Sequence, residues 1–400
     1  MPQISQKSQT MPASAIRKLV PFSDAAEASG IKVYHLNVGA PDIKSPRCAI
    51  DAVMARCENM HHLSYTNSAG LMELRKGLVG YYKGKGIDID VSELLVEVAG
   101  SEGFSVGMQI AADRGDEIIV VEPFYTNYQT FAFLNGITLK AVRTDIRDGF
   151  RIPDMSEFEK LVTPHTKAVL LSNPCNPSGK LFTKEEMLKI GEFCRRHDLF
   201  LISDEVYREF CYTDEPHFSA MSIPGCEQNV ILADSVSKRY NLCGARIGCI
   251  VSHNKDVMAA ALKFAQSRLC PPVLGQYAAI GALDTPQSYF DDVRKEYMLR
   301  RDTAVQMLND MDGVFTPTPM GAFYTMAELP VDSTEKFAKW LLTEFRVDNQ
   351  TVMVTPAASF YRTPGIGDRQ ARIAYVLEVP LLKKAMNILE QALKAYPGRL

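Results

Sequence analysis

At 400 residues the chain exceeds the usual single compact domain, so two domains, or one large domain with an annex, are expected around a sizeable core. With 46% apolar and 23% charged residues and a formal charge of -3, it has an ordinary globular composition that disfavours nucleic acid or an anionic membrane as its main partner. Nine cysteines without a C-x-x-C pair argue against a disulfide framework and read as reduced thiols, which with a polar opening MPQISQKSQT and no apolar run near the ~18 residues of a membrane span points to the cytoplasm.

After a polar tail, ASAIRKLVPFSDAAEASG has helical spacing closed by Gly30, with Pro21 required to start or kink a turn. KVYHLNVGAPD gives a short strand and a Gly-Ala-Pro turn. From about residue 48 to 285, β-branched runs alternate with amphipathic stretches. The strands are LLVEV, EIIVV, TLKAV, KAVLLS, LFLIS, VILAD and ARIGCIV; between two of them TKEEMLKIGEFCRRHD carries capping-box spacing at Thr183 and Glu186. Such alternation predicts an α/β fold, a mostly parallel central sheet flanked by helices, with ligands at the strands' carboxyl ends. QSYFDDVRKEYMLRRDTAVQMLNDMDG reads as one long helix, and GAFYTMAEL, TVMVTP and ARIAYVLEV with two helices form a smaller α+β unit. The expected division is residues 1–47, an N-terminal segment of the small domain; 48–285, the large domain; and 286–400, the small C-terminal domain.

Polar clusters follow the predicted strands. GSEGFSVGM opens a helix with small residues, so free N–H groups beside Gly100, Ser101 and Gly103 suit an anion, although such turns also serve plain tight packing. Glu102 reads equally as a first-turn acid favoured by the helix dipole. NPCNPSGK holds two Asn-Pro steps that forbid helix and stiffen the loop around Asn176. SDEVYREF puts Asp204 and Tyr207 past LFLIS, and EPFYTNY puts Tyr125 past EIIVV, where a ring can cover a flat ligand or fill core. SVSKRYNLCGARIG places Ser235, Ser237, Lys238 and Arg246 after VILAD. An anion cradle, a stacking ring, a carboxylate for a ring nitrogen and a lysine amine together describe a flat, phosphorylated, nitrogenous aldehyde; pyridoxal 5′-phosphate meets each requirement.

In order and spacing, NPCNPSGK, SDEVY, SVSKRYNLCGARIG and ARIAYV resemble the pyridoxal-phosphate-dependent class I/II aminotransferases of fold type I, over about residues 30–400. The resemblance implies that Lys238 is the Schiff-base lysine, Asp204 pairs with the pyridine nitrogen, and Tyr207 and Asn176 bond the ring phenolate. It assigns Gly100, Ser101, Glu102 through its backbone, Ser235, Ser237 and Arg246 to the phosphate, and Tyr125 to the ring face. Tyr65 is similar to the tyrosine lent to the neighbouring subunit's phosphate, which implies a homodimer. Arg372 matches the arginine that clamps the substrate carboxylate, with Gly39 nearby. The implied activity is ping-pong transfer of an amino group from an L-amino acid, aspartate first, to a 2-oxo acid such as 2-oxoglutarate. A C–S β-lyase and an alanine or aromatic aminotransferase are the alternatives.

Ser178 replaces a usual threonine, Ala245 a usual bulky residue, and FYRTPGIGDRQ departs from the common loop; the last two bear on side-chain preference. Arg17, Lys18, Arg268 and Arg362 are candidate second cations for a dicarboxylic substrate. His61 and His62, adjacent and without acidic or thiol company, do not form a metal set. A free lysine titrates near ~10.4, so a half-neutral Lys238 at pH 7 requires a shift of about 3.4 units, from burial and a neighbouring guanidinium.

Overall fold

A computed structural model describes residues 2–12, 14, 17–58 and 60–400. Its centre is a seven-stranded sheet. The first strand of the chain, β1 (Lys32–His35), lies outside that sheet; the seven members are β2 (Leu94–Glu97), β3 (Glu117–Glu122), β4 (Thr138–Arg143), β5 (Thr166–Ser172), β6 (Phe200–Asp204), β7 (Val230–Ser235) and β8 (Gly248–Val251), in the order β2-β8-β7-β6-β5-β3-β4. β8 runs antiparallel to both neighbours and every other pairing is parallel. All seven expected strands are therefore members of one sheet.

These strands are apolar almost throughout because both faces are covered. Along β3 and β5, Ile118, Val120 and Leu170 enter one core while Ile119, Val121, Val169 and Leu171 enter the other. That is the period-2 alternation of a strand with no wet side. The helices that flank the sheet and complete the chain are α1 (Gln6–Thr10), α2 (Val20–Ala28), α3 (Arg47–Glu58), α4 (Met72–Gly84), α5 (Ala99–Ala111), α6 (Asn127–Asn135), α7 (Met155–Glu159), α8 (Lys184–Arg196), α9 (Val236–Arg239), α10 (Lys255–Arg268), α11 (Val273–Ala282), α12 (Gln287–Asp310), α13 (Thr334–Thr343) and α14 (Val379–Ala395). The box at Thr183 and Glu186 caps α8 as its spacing predicts.

Two smaller sheets complete the fold. β1 pairs in parallel with β10 (Gln350–Met353), and β9 (Tyr324–Glu328), β11 (Thr355–Pro356) and β12 (Gln370–Ala374) form an antiparallel sheet in the order β11-β12-β9. TVMVTP, expected as one strand, is thus divided between two sheets. The helix expected before Gly30 is also shorter, since Arg17–Leu19 is a turn and Pro21, which has no N–H to donate, sits in the first turn of α2. Ala13, Ala15 and Ile16 of that stretch lie outside the described residues.

Strands β2, β3, β5, β6 and β7 share a direction, so the loops leaving them gather on one rim. β8 is reversed, and the residues entering it reach that same rim.

Candidate active site

A cleft of about 630 Å³ opens at this rim, well within the size of a small-molecule site. It is lined by Gly39, Gly100, Ser101, Tyr125, Asn176, Asp204, Tyr207, Ser235, Ser237, Lys238, Arg246 and Arg372. Of the residues that the resemblance assigns to cofactor or substrate, the two that do not line it are Glu102 and Tyr65. Glu102 turns its carboxylate back to the Val98 N–H at 2.6 Å and to Arg268 Nε at 3.0 Å, leaving only its backbone in the first turn of α5. Tyr65 is 79% exposed, away from its own chain's cleft.

Lys238 ends up in the cleft because β7 stops at Ser235 and α9 is a single turn. Its Nζ donates to Gly39 O at 2.6 Å and lies 3.7 Å from Cys243 Sγ. Burial lowers its pKa; the Cys243 contact opposes this, and the charges of Arg246 and Arg372 reinforce it. The amine therefore loses its proton more readily than a surface lysine. Gly39 has to be glycine, since a Cβ there would lie 2.2 Å from the Tyr324 hydroxyl oxygen.

The cleft also holds an anion cradle. α5 begins at Ala99 in a left-handed conformation (φ 62°), which aims its free N–H groups past Gly100 and Ser101 into the space. Ser235 Oγ stands 2.8 Å from Ser237 Oγ. Arg246, itself left-handed, donates to the Cys243 carbonyl at 2.8 Å. This conformation delays the start of β8 to Gly248, three residues later than ARIGCIV suggested. A Cβ on Gly248 would stand 2.4 Å from the Ala99 carbonyl carbon and 2.7 Å from the Gly100 nitrogen, so only glycine lets β8 lie against the cradle.

The same cleft holds one buried carboxylate and one buried guanidinium. Asp204 is pushed up to about 7 by burial, against hydrogen bonds from the Tyr128 hydroxyl and from the Val206 N–H at 3.1 Å. Among the described residues no cation pairs with it. Arg372, at the middle of β12, is 2% exposed; it donates to Asn176 Oδ1 at 3.0 Å and to Asn37 O at 2.7 Å, and lies over the Tyr324 ring at 4.5 Å. Among the described residues it meets no carboxylate, and its Nε has no hydrogen-bond partner. A buried cation without a counter-ion, near a buried anion without a cation, is costly unless a ligand carries the opposite charges.

Sequence reading missed Tyr128, Tyr324 and Asn37. Tyr128 stands one helical turn beyond Tyr125 in EPFYTNY, a spacing that could have paired them, and their rings meet edge-on at 5.6 Å. Tyr324 shares a 2.9 Å hydrogen bond with Tyr207 across the cleft floor and carried no signal apart from the strand it sits in. Among the four candidate second cations, Arg17 alone lines the cleft. Lys18 pairs with Glu335, Arg268 is bound to Glu97 and Glu102, and the Arg362 backbone N–H is tied to Glu122.

The residues present fit pyridoxal phosphate: an N–H and hydroxyl cradle for its phosphate, a carboxylate for its ring nitrogen, a deprotonation-prone amine for its aldehyde. No group of three or more potential metal ligands is gathered among the described residues, and no helix is long and apolar enough to cross a membrane.

Comparison with known proteins accords with this geometry. Residues 31–385 match the family described as "Aminotransferase class I and II". An aspartate aminotransferase of Pyrococcus horikoshii is 31% identical over 375 residues, covering 90% of this chain and 91% of the relative. An aromatic aminotransferase structure from Pyrococcus horikoshii superposes with a TM-score of 0.83 at 31% identity, covering 93% of this chain and 98% of that one. An alanine aminotransferase structure from Pyrococcus furiosus superposes with a TM-score of 0.88 at 29% identity, covering 97% and 99%.

Proposed function

Since the chain belongs to the class I and II aminotransferases, and is thereby a pyridoxal-phosphate-dependent transaminase, we propose that it moves the amino group of an L-amino acid, aspartate first, to 2-oxoglutarate in two alternating half-reactions. The observation that carries this reading is Arg372, a buried guanidinium without a carboxylate partner among the described residues, in the same cleft as Lys238.

Bound there, pyridoxal phosphate supplies an aldehyde that condenses with amines and a protonated ring that draws electrons from the substrate's α-carbon. Asp204 keeps the ring nitrogen's proton in place. Gly100, Ser101 and the Glu102 backbone, with Ser235, Ser237 and Arg246, take the phosphate, while Tyr125 covers the ring, and Asn176 and Tyr207 donate to its phenolic oxygen. Lys238 would serve twice: as the amine that would hold the cofactor, and as the base whose Nζ would take the substrate's α-proton. Its depressed pKa suits both roles.

Two of Arg372's five N–H donors are used by Asn176 and Asn37. The remaining three, Nε–H among them, suit a two-point grip on the α-carboxylate, with the Gly39 backbone beside it. Tyr65, exposed on its own chain, suits a reach toward a second copy's phosphate, so the working unit is a homodimer. Residues 1–47 and 286–400 make the small domain around the large domain at 48–285, a division supported by the pairing of β1 with β10. Nine cysteines, all free thiols, suit the cytoplasm.

The test uses the purified full-length protein loaded with pyridoxal phosphate. Aspartate and 2-oxoglutarate together should yield oxaloacetate and glutamate with parallel double-reciprocal lines. Ammonia and pyruvate released from cystathionine without any oxo acid would instead assign the cleft to β-elimination.

A further inference from the structure

Directly after Lys238 the chain carries a cation that the function proposed above does not use. Arg239 is 3% exposed and is bound to Asp234, itself 1% exposed. Neither lines the cleft. Along β7, Ile231 and Ala233 enter the core that Tyr207 joins, whereas Val230 and Leu232 enter the other, so strand alternation puts Asp234 on the face of the sheet turned away from the cleft.

The pair is the hub of a buried polar cluster. Asp234 Oδ1 accepts from the Ser235 N–H at 2.7 Å, and Oδ2 accepts from the Tyr82 hydroxyl at 2.8 Å and from the Arg239 guanidinium. That guanidinium lies over the Tyr81 ring at 3.8 Å; Tyr81 donates to Glu209, which pairs with Lys85 at 2.9 Å. Burial works against the charge on Asp234, but the Arg239 and Arg208 cations and the Tyr82 and Ser235 donors outweigh it and hold its pKa below the ordinary carboxylate value.

Helix α9 has only four residues, too few to persist on its own hydrogen bonds. Its orientation comes from what ties its ends. Ser235 Oγ accepts from the Ser237 N–H at 3.1 Å, and the Asp234–Arg239 pair joins the end of β7 to the last residue of the turn. Consecutive helical residues diverge by about 100°, so a turn that sends Arg239 behind the sheet can send Lys238 into the cleft. Any rotation of α9 that moved Nζ would have to pull a buried guanidinium off its carboxylate, which is costly.

We propose that Asp234 and Arg239 are positioning residues for Lys238, a clamp behind the sheet that fixes where the amine stands in the cleft. This rests on the reading of Lys238 as the amine that captures pyridoxal phosphate, a condensation in which a carbon–nitrogen bond replaces the aldehyde's carbon–oxygen bond and water leaves. An amine displaced by about 1 Å should react about 100-fold more slowly.

The experiment gives the full-length protein two probes: pyridoxal phosphate, followed by its covalent capture on residue 238, and pyridoxine phosphate, which carries an alcohol in place of the aldehyde. Asp234→Asn combined with Arg239→Met removes both charges of the pair together; it should slow capture by about 100-fold with pyridoxine phosphate affinity unchanged. The milder Arg239→Lys, which keeps an ion pair but not its geometry, should slow capture by about 10-fold and carries the same comparison if the double variant does not fold. Capture at the wild-type rate in these variants overturns the clamp. So does an equal loss for both probes, which would mean that the cluster only supports the fold. A wild type that binds pyridoxine phosphate but never captures the aldehyde on residue 238 would instead remove the reading of Lys238, and the clamp with it.

Discussion

Replacing Asp204 with asparagine keeps the shape of a buried side chain and deletes its charge. The carboxylate accepts from Val206 N–H and Tyr128, faces no cation among the described residues, and is pushed from 3.8 to about 7 by burial. In the cofactor-free protein the folded state therefore keeps a proton that the unfolded chain releases near 3.8. Between those values stability falls as pH rises, by about 1.4 kcal/mol per pH unit from this one group, or about 2.5 kcal/mol between about pH 5 and about pH 7.5. An asparagine at this position has no such dependence. Urea unfolding of both cofactor-free proteins at about pH 5 and about pH 7.5 should show Asp204→Asn gaining about 2.5 kcal/mol relative to wild type at the higher pH. Adding pyridoxal phosphate should flatten the wild-type pH dependence, because the ring's N–H cation then satisfies the carboxylate, and should do little for the Asp204→Asn variant. A stability gap between the two cofactor-free proteins that is the same at both pH values would show that the ionised carboxylate suffers no burial penalty, and the case for it as an anion awaiting a ring cation would fail.

Arg372→Lys should lower kcat/KM for amino acids by about 30- to 5000-fold, since losing one partner of a buried charged pair costs about 2–5 kcal/mol, while the bound cofactor's visible absorbance persists; near-normal turnover would remove the carboxylate role. Lys238→Ala should still bind the cofactor but abolish its covalent capture, so borohydride treatment followed by peptide mass analysis should mark residue 238 in the wild type only. Arg268→Ala should lose about 3 kcal/mol in melting experiments and weaken cofactor affinity. Arg268 joins Glu97 on β2 to Glu102 on α5, and burial with a hydrogen bond to Glu102 holds Glu97 far above the carboxylate range, so the cradle helix is tethered through that cluster.

The strands of the large sheet were legible because both faces are buried, which forces runs such as EIIVV and KAVLLS that no surface strand needs. Much of the chemistry was legible because Asp204, Ser235 and Lys238 fall at or just past strand ends, where a parallel sheet gathers its loops, whereas Arg372, inside β12, was legible only through the family resemblance. Tyr128 and Tyr324 were not: a phenol on an apolar strand or helix looks the same whether its hydroxyl points at Asp204, at Tyr207 or into packing. The second cation was equally undecided in one dimension. Arg17, Lys18, Arg268 and Arg362 differ only in which carboxylates fold beside them, and this is a property of long-range contacts.

The reversal of β8 is the most instructive case, since ARIGCIV has the same apolar content in either direction. What decides it is the connection. A parallel crossover needs a dozen or more residues, usually with a full helix to recross the sheet face; the link from Ser235 to Gly248 is at that lower limit and carries only the single turn of α9 and a short 3₁₀ segment. Without such a helix the chain turns back, and β8 pairs antiparallel with β7, from Ser235 opposite Gly248 onward. The reversal brings the chain into β8 at the rim where β7 leaves it. Lys238 and Arg246 thus face one cleft although they flank a turn, and the short link between them is the physical reason that one loop can present both the amine and the phosphate's cation.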